Sequence, residues 1–232
     1  MNKPTVVIPI AILIGGVIVA LAIYLTLHAN EPSTSSGAGD PSQVAPVSAK
    51  DHIFGNPAAP VKIIEYADFD CEYCQQFDST MHQIIANDGA SGQVAWVFRD
   101  FPIVSLHPNA MHAAEAAECV AQTAGNDVYW KFSDSLFANQ PTDPTQYLPL
   151  AQAAGANADA VSSCEQNASS TVDALIQADI ANGKAIGANG TPYSLIIATG
   201  QPPVVINGAW PYDAVEQEIE QELQAISTTT NQ

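Results

Sequence analysis

Two cysteines separated by two residues, Cys71-Glu72-Tyr73-Cys74, stand where an apolar, mostly β-branched run from Val61 to Tyr66 leads into a helix-forming stretch from Gln75 to Ala86. A thiol pair on the first turn of a helix can close a small disulfide, and the positive end of the helix dipole favours a negative sulfur there. In that placement Cys71 is the exposed nucleophile and Cys74 the resolving thiol beneath it. The same spacing also supplies half of a zinc site. Against zinc, Cys119 and Cys164 form no second close pair, and no histidine pair follows at zinc-finger spacing.

The segment from Val6 to Leu27 carries no charge and is dominated by Val, Ile, Leu and Ala. At about 1.5 Å per residue it can cross a hydrocarbon core of about 30 Å. Lys3 precedes it and Glu31 is the first charge after it, so residues 1–28 read as a single membrane anchor with a cytoplasmic N-terminus. A cleaved signal peptide ending at Ala29 is the competing reading, although Leu27 fits the −3 position poorly and the apolar run exceeds the usual length. Either way the rest of the chain is exported to a periplasm or cell exterior, where disulfides persist. Residues 29–50 are rich in Pro, Ser, Gly and Ala without apolar periodicity, which predicts a flexible linker.

What remains suits one domain, or one domain carrying an insertion. The formal charge of −18, from 6 Lys and Arg against 24 Asp and Glu, argues against phosphate-backbone contacts and so against nucleic acid. Glycine-rich phosphate loops, HExxH and GxSxG are missing, which removes the usual signatures of nucleotide, zinc-protease and serine-hydrolase sites.

The pattern of the folded part predicts an α/β protein. Val61 to Tyr66 and Gln93 to Phe98 are candidate neighbouring parallel strands, and the helix begun at Cys71 makes the unit a right-handed βαβ. From His107 to Gly187 the sequence is Ala-rich with helical periodicity, over Ala110 to Ala124, Val128 to Ala138, Gln146 to Ala154, Ala158 to Asn167 and Thr171 to Ile186. Strand character returns at Tyr193 to Ala198 and Pro203 to Asn207, followed by a helix from Tyr212 to Ile226. The order β-α-β, helical block, β-β-α gives a mixed central sheet with helices on both faces.

Several motifs recur in one order: Gly55-Asn56-Pro57-Ala58-Ala59-Pro60-Val61; Ala67-Asp68-Phe69-Asp70 before the thiol pair; Phe98-Arg99-Asp100-Phe101-Pro102 with His107-Pro108 following; and Gly190-Thr191-Pro192. Together they resemble the DsbA-like family of thioredoxin-fold thiol:disulfide oxidoreductases from Asp51 to Ile226. The resemblance implies a thioredoxin-like domain in two parts, residues 51–106 and 188–228, split by an all-helical insertion at 107–187. It also implies that Pro192 has a cis peptide bond and faces the thiols, leaving the Thr191 backbone to pair with an extended substrate. A trans proline opening an edge strand is the plainer alternative.

Glu65 matches a buried carboxylate that the family often carries near the inner cysteine, where it could relay the Cys74 proton; otherwise it is a strand glutamate reaching solvent. Glu72-Tyr73 departs from the Pro-His dipeptide of the strongly oxidising enterobacterial members, which implies a higher Cys71 pKa and a less oxidising site. Some members staple the helical block, which here would pair Cys119 with Cys164 in a structural disulfide; two buried free thiols are the other possibility. His107 resembles a recurrent position and reads as capping or packing. His52, His82 and His112 read as surface or satisfied structural residues, and Trp96, Trp130 and Trp210 as core or rim aromatics.

The implied reaction is dithiol oxidation of unfolded exported proteins by a monomer needing no bound cofactor or metal. A membrane quinone-linked partner of the DsbB or vitamin-K-epoxide-reductase type would re-oxidise it. Disulfide isomerisation or reduction uses the same motif, since potential and partner set direction. A non-enzymatic copper or zinc module using the two thiolates is the alternative from another class.

Overall fold

The computed structural model describes residues 39–167 and 171–230, so the expected membrane anchor lies outside the described residues. No helix among those described is long and apolar enough to cross a membrane. The strands are β1 (His52–Gly55), β2 (Val61–Ala67), β3 (Val94–Asp100), β4 (Tyr193–Ala198) and β5 (Val204–Asn207). The helices are α1 (Glu72–Asn87), α2 (Ala110–Ala124), α3 (Asn126–Ala138), α4 (Tyr147–Ala154), α5 (Ala158–Asn167), α6 (Val172–Ala185) and α7 (Tyr212–Thr230).

The strands form one sheet in the order β1-β3-β2-β4-β5. β2 and β3 are parallel with Glu65 opposite Phe98, and α1 makes the crossover between them. β2 also pairs antiparallel with β4, placing Glu65 opposite Ser194. β4 and β5 form the expected hairpin. β1, which has no counterpart among the sequence expectations, pairs antiparallel along the free edge of β3.

Alternation along the strands divides the core in two, because successive side chains leave opposite faces of a sheet. Val61, Ile63, Trp96, Phe98 and Ile196 meet α1, α7 and the helical block on one face. Ile64, Tyr66, Val97, Tyr193 and Leu195 point to the other. That second face is covered by Ile180 and Ile186 at the end of α6, and by Val44 and Val47 of the segment ahead of β1.

The last contact corrects the linker expectation. Residues 29–38 lie outside the described residues, but 39–50 are a docked strap, not a tether. Asp40 N–H donates to Ala185 O at 2.9 Å, Ala45 N–H to Asn182 Oδ1 at 2.9 Å, and a short 3-10 turn forms at Pro41–Gln43. Composition misjudged this segment because it carries few apolar residues of its own. Its partners lie far along the chain: Asn182 is 137 residues from Ala45, and the buried Arg99 guanidinium, 54 residues away, donates to Ala45 O at 3.0 Å.

Cys119 and Cys164 form a disulfide that joins α2 to α5 with Cα atoms 5.6 Å apart. Closing a 45-residue separation contributes about 4 kcal/mol by the loop-entropy estimate.

Candidate active site

Cys71 is the N-cap of α1, with extended backbone (φ −83°, ψ 120°), so its sulfur lies where a capping oxygen usually sits. The free amides of the first turn, those of Tyr73 and Cys74, face it, as does the Cys74 thiol. Cys71 is recessed instead of exposed: 6% of its surface meets solvent. Gln140, from the loop after α3, donates its side-chain amide to Phe69 O and, at 3.1 Å, to Cys71 O, pinning the helical block onto the thiol loop. Cys74 is fully buried, and its sulfur accepts the Asp68 amide at 3.5 Å.

The Thr191-Pro192 peptide is cis, as the resemblance implies, and Thr191 O stands 3.4 Å from Cys71 Sγ. The Gly208 amide, just past β5, holds Pro192 O at 3.0 Å and ties this loop to the hairpin. The Thr191 hydroxyl also faces the Cys71 sulfur and finds no oxygen or nitrogen partner. A second cis bond, Gln140-Pro141, was not foreseen.

These surroundings separate the two thiols. The Cys74 hydrogen bond, the Thr191 hydroxyl and the first-turn amides outweigh desolvation and bring Cys71 down to about 5. Burial, then the hydrogen bond to Cys71 and the charge on Glu65, push Cys74 well above the usual thiol range. Near neutral pH the pair is therefore a thiolate beside a thiol, with the more accessible sulfur ionised.

Glu65 is fully buried, settling its orientation against the solvent-reaching alternative. Trp96 Nε1–H donates to its Oε2 at 2.8 Å, while Oε1 accepts nothing. Burial, and then the charge of Asp78, push its carboxyl well above the ordinary range. A carboxyl so placed keeps its proton to higher pH than an ordinary carboxylate, and Oε1 is free to exchange it.

Asp68, whose role the motif Ala67-Asp68-Phe69-Asp70 does not reveal, is the node of the site. Its buried carboxylate accepts the Ile103 amide at 2.7 Å and His107 Nδ1 at 2.9 Å through Oδ2, and the Asp70 amide at 2.8 Å through Oδ1. It thereby sets both the thiol loop and the segment after β3, and gives His107 the packing role expected. A buried acid next to Phe69 at a strand end was the only signal in the sequence. His52 is buried, bonded to Glu118 at 2.8 Å and stacked on Tyr129. Trp96 and Trp130 lie in the core and Trp210 at its rim.

The large apolar side chains exposed among the described residues are Tyr73, Val104 and Leu106. Tyr73 lies within the thiol motif, and the other two lie on the segment held by Asp68. No third imidazole, thiol or carboxylate joins the two sulfurs in a metal-ligand cluster among the described residues.

Solved structures share this architecture. BdbD from Bacillus subtilis in its oxidised form superposes with a TM-score of 0.67 at 22% identity, covering 81% of this chain and 97% of that one. The α-DsbA1 protein of Wolbachia pipientis gives 0.67 at 20% identity, over 82% and 99%. The thiol-disulfide exchange protein α-DsbA2 of the same organism gives 0.65 at 18%, over 75% and 88%. At these identities the likeness shows the fold, a thioredoxin-like sheet with a helical insertion.

Among curated proteins, the chain is 36% identical over 102 residues to Na(+)/H(+) antiporter NhaA 3 of Salinispora tropica, covering 42% of this chain and 15% of that protein. It is 30% identical over 146 residues to Na(+)/H(+) antiporter NhaA 1 of Mycolicibacterium gilvum, covering 62% and 22%. The chain thus spans less than a quarter of the length of these relatives. A family model described as Thioredoxin matches residues 48–201, which take in the thiol pair, the helical block and the cis-proline loop. By that match and by the fold that carries it, the chain belongs to the thioredoxin family.

Proposed function

We propose that the chain is an extracytoplasmic thiol:disulfide oxidoreductase that introduces disulfides into exported polypeptides, with Cys71 and Cys74 as its redox pair. The observation that carries this reading is the asymmetry of the two sulfurs beside a cis-proline loop. A substrate thiolate attacks Cys71 Sγ of the Cys71-Cys74 disulfide, Cys74 leaves with the electron pair, and the proton on Glu65 passes to it. A second substrate thiolate then attacks the substrate sulfur of the mixed disulfide and releases Cys71 as a thiolate. Two electrons have moved from the substrate dithiol to the enzyme. The low pKa of Cys71 makes it the good leaving group this second step needs.

Thr191 and Pro192 are the docking edge for an extended client, and Tyr73, Val104 and Leu106 give it an apolar rim. Val6 to Leu27 anchors the domain, so a membrane quinone-linked protein of the DsbB or vitamin-K-epoxide-reductase type meets it by diffusion in two dimensions. The antiport named for the relatives is no part of this reading, because the matching portion is under a quarter of those proteins. Stabilising the Cys71 thiolate stabilises the reduced enzyme, which favours oxidation of clients over their reduction.

The test is to equilibrate the pair with glutathione and to assay oxidation of a dithiol peptide by the disulfide form. A potential well above about −270 mV, with stoichiometric peptide oxidation, is expected. A value near that thioredoxin figure would reject the oxidase in favour of a reductase.

A further inference from the structure

On the far side of α1 from the sheet edge bearing the cis-proline loop's contacts, three side chains converge that the thiol chemistry does not use directly. Asp78 and His82 lie one turn apart on α1, and Asp134 comes from α3. His82 Nε2 is 2.9 Å from Asp134 Oδ1 and 3.7 Å from Asp78 Oδ1, and one donor atom from each residue falls within 4.8 Å of the others. We propose that Asp78, His82 and Asp134 form a binding site for a divalent transition-metal ion of the zinc type, with solvent completing its coordination.

Four features carry the assignment. Two donors bonded to one tetrahedral zinc at about 2.0–2.1 Å stand about 3.3 Å apart, and the two separations from His82 Nε2 bracket that value. Asp78 Oδ1 is buried and accepts no hydrogen bond, although its residue is only 8% exposed, so it is aimed into the cluster without a partner of its own. The imidazole is held edge-on between Phe54 and Trp96, each 5.5 Å away between centroids, which orients it before any ion arrives. A solvent-open depression lined by Gln75, Ser79, Asp78 and Asp134 supplies the entry path.

The donor set selects the class of ion. One imidazole nitrogen with two carboxylates suits zinc and its neighbours, whereas calcium and magnesium require more oxygen ligands than are gathered here. Because two ligands come from α1 and one from α3, the ion would fasten the thiol-bearing helix to the helical block. It should raise thermal stability by binding only the folded chain.

The test uses the full chain in detergent with the Cys71-Cys74 disulfide closed, so that no active-site thiolate competes for metal and no thiol exchange is required. Calorimetric titration with zinc chloride in a non-chelating buffer should show one equivalent bound, accompanied by a rise in melting temperature. His82→Gln and the half-exposed Asp134→Asn should each weaken zinc at least tenfold and abolish the melting shift; the second variant serves if the first fails to fold. No zinc binding, or equal binding by wild type and a folded variant, would overturn the site. Calcium binding as tightly as zinc would overturn the class of ion. Because the thiols are blocked, failure here is distinguishable from failure of the oxidoreductase reading, which the peptide assay measures separately.

Discussion

The two sulfurs of the motif are chemically the same group in two settings, and the difference between the settings sets the pH behaviour of the reduced protein. Folding lowers the Cys71 pKa to about 5. A group with a depressed folded pKa adds stability that is fully present above its unfolded value and is lost as pH falls through the folded one. Cys74, pushed upward, is a thiol in both folded and unfolded states below its ordinary range and contributes nothing there. The melting temperature of the reduced form minus that of the oxidised form should therefore climb from about pH 5 towards pH 8. A flat difference across that range, measured by calorimetry, would mean that Cys71 is not ionised in the fold. Glu65 carries the opposite sign: its raised pKa means that its contribution holds below the ordinary carboxylate range and is lost as pH rises through the folded value. Glu65→Gln keeps an acceptor for Trp96 and removes the titration, so at pH 8 it should melt higher than wild type. It should also slow peptide oxidation on the order of 10²-fold, as loss of a proton-transfer group does, and flatten the pH profile of the rate. A slower but unchanged profile would make Glu65 a packing residue. At this scale the motif and its charged neighbour were legible in the chain. Asp68, Asp78 and Gln140 were not, because each takes its importance from partners in distant segments.

Elements with a strong repeat lie where their patterns predict: β2, β3, β4, α2 and α5 all fall within two residues of the expected boundaries. β1 was not read, since four residues beginning with His and ending with Gly carry too little alternation, and pairing with β3 is what makes them a strand. The helical block was expected as an insertion. Its last member, α6, also serves the sheet, packing Ile180 and Ile186 over the face opposite α1. Gly183 permits the approach: a Cβ there would meet the Phe101 ring at 2.7 Å and the Tyr66 ring at 3.0 Å. Neither ring has room to retreat, since both are buried and the Tyr66 hydroxyl is bonded to Arg99 Nη1 at 2.8 Å. Gly183→Ala would gain about 1 kcal/mol of helix propensity, against an overpacking cost of roughly 1–3 kcal/mol. The sign is decided by the buried contacts. The variant should be about 1 kcal/mol less stable, seen as a lower urea midpoint at unchanged slope, and a higher midpoint would mean that α6 can slide outward.

Across the whole molecule, the sparsest charge type controls the far side of the sheet. The chain has 6 Lys and Arg in all, and one of them, Arg99, is buried beneath the N-terminal strap. Its Nε donates to Asp51 Oδ1 at 2.8 Å, Nη1 to the Tyr66 hydroxyl, and Nη2 to Ala45 O at 3.0 Å. A buried guanidinium stripped of acceptors is costly, so the strap is needed to complete the fold and is more than a covering. Gly39 shows how closely it docks: a Cβ at that position would collide with the backbone of Ile186 and Gly187, at 2.4 and 2.0 Å. The domain accordingly begins near Gly39, twelve positions earlier than composition suggested by placing it at Asp51. Chains started at Gly39 and at Asp51 separate the two boundaries. The longer should melt like the full-length protein. The shorter loses the half-buried Val44 and Val47 and two carbonyl acceptors of Arg99, a loss on the order of 2–4 kcal/mol from the apolar surface alone. The active-site thiols pack on the α1 face of the sheet, whereas the strap covers the other face. The shorter chain should therefore retain a Cys71 titrating near 5 at temperatures where it is folded, while unfolding several degrees earlier. Equal melting temperatures would return residues 39–50 to the status of a tether.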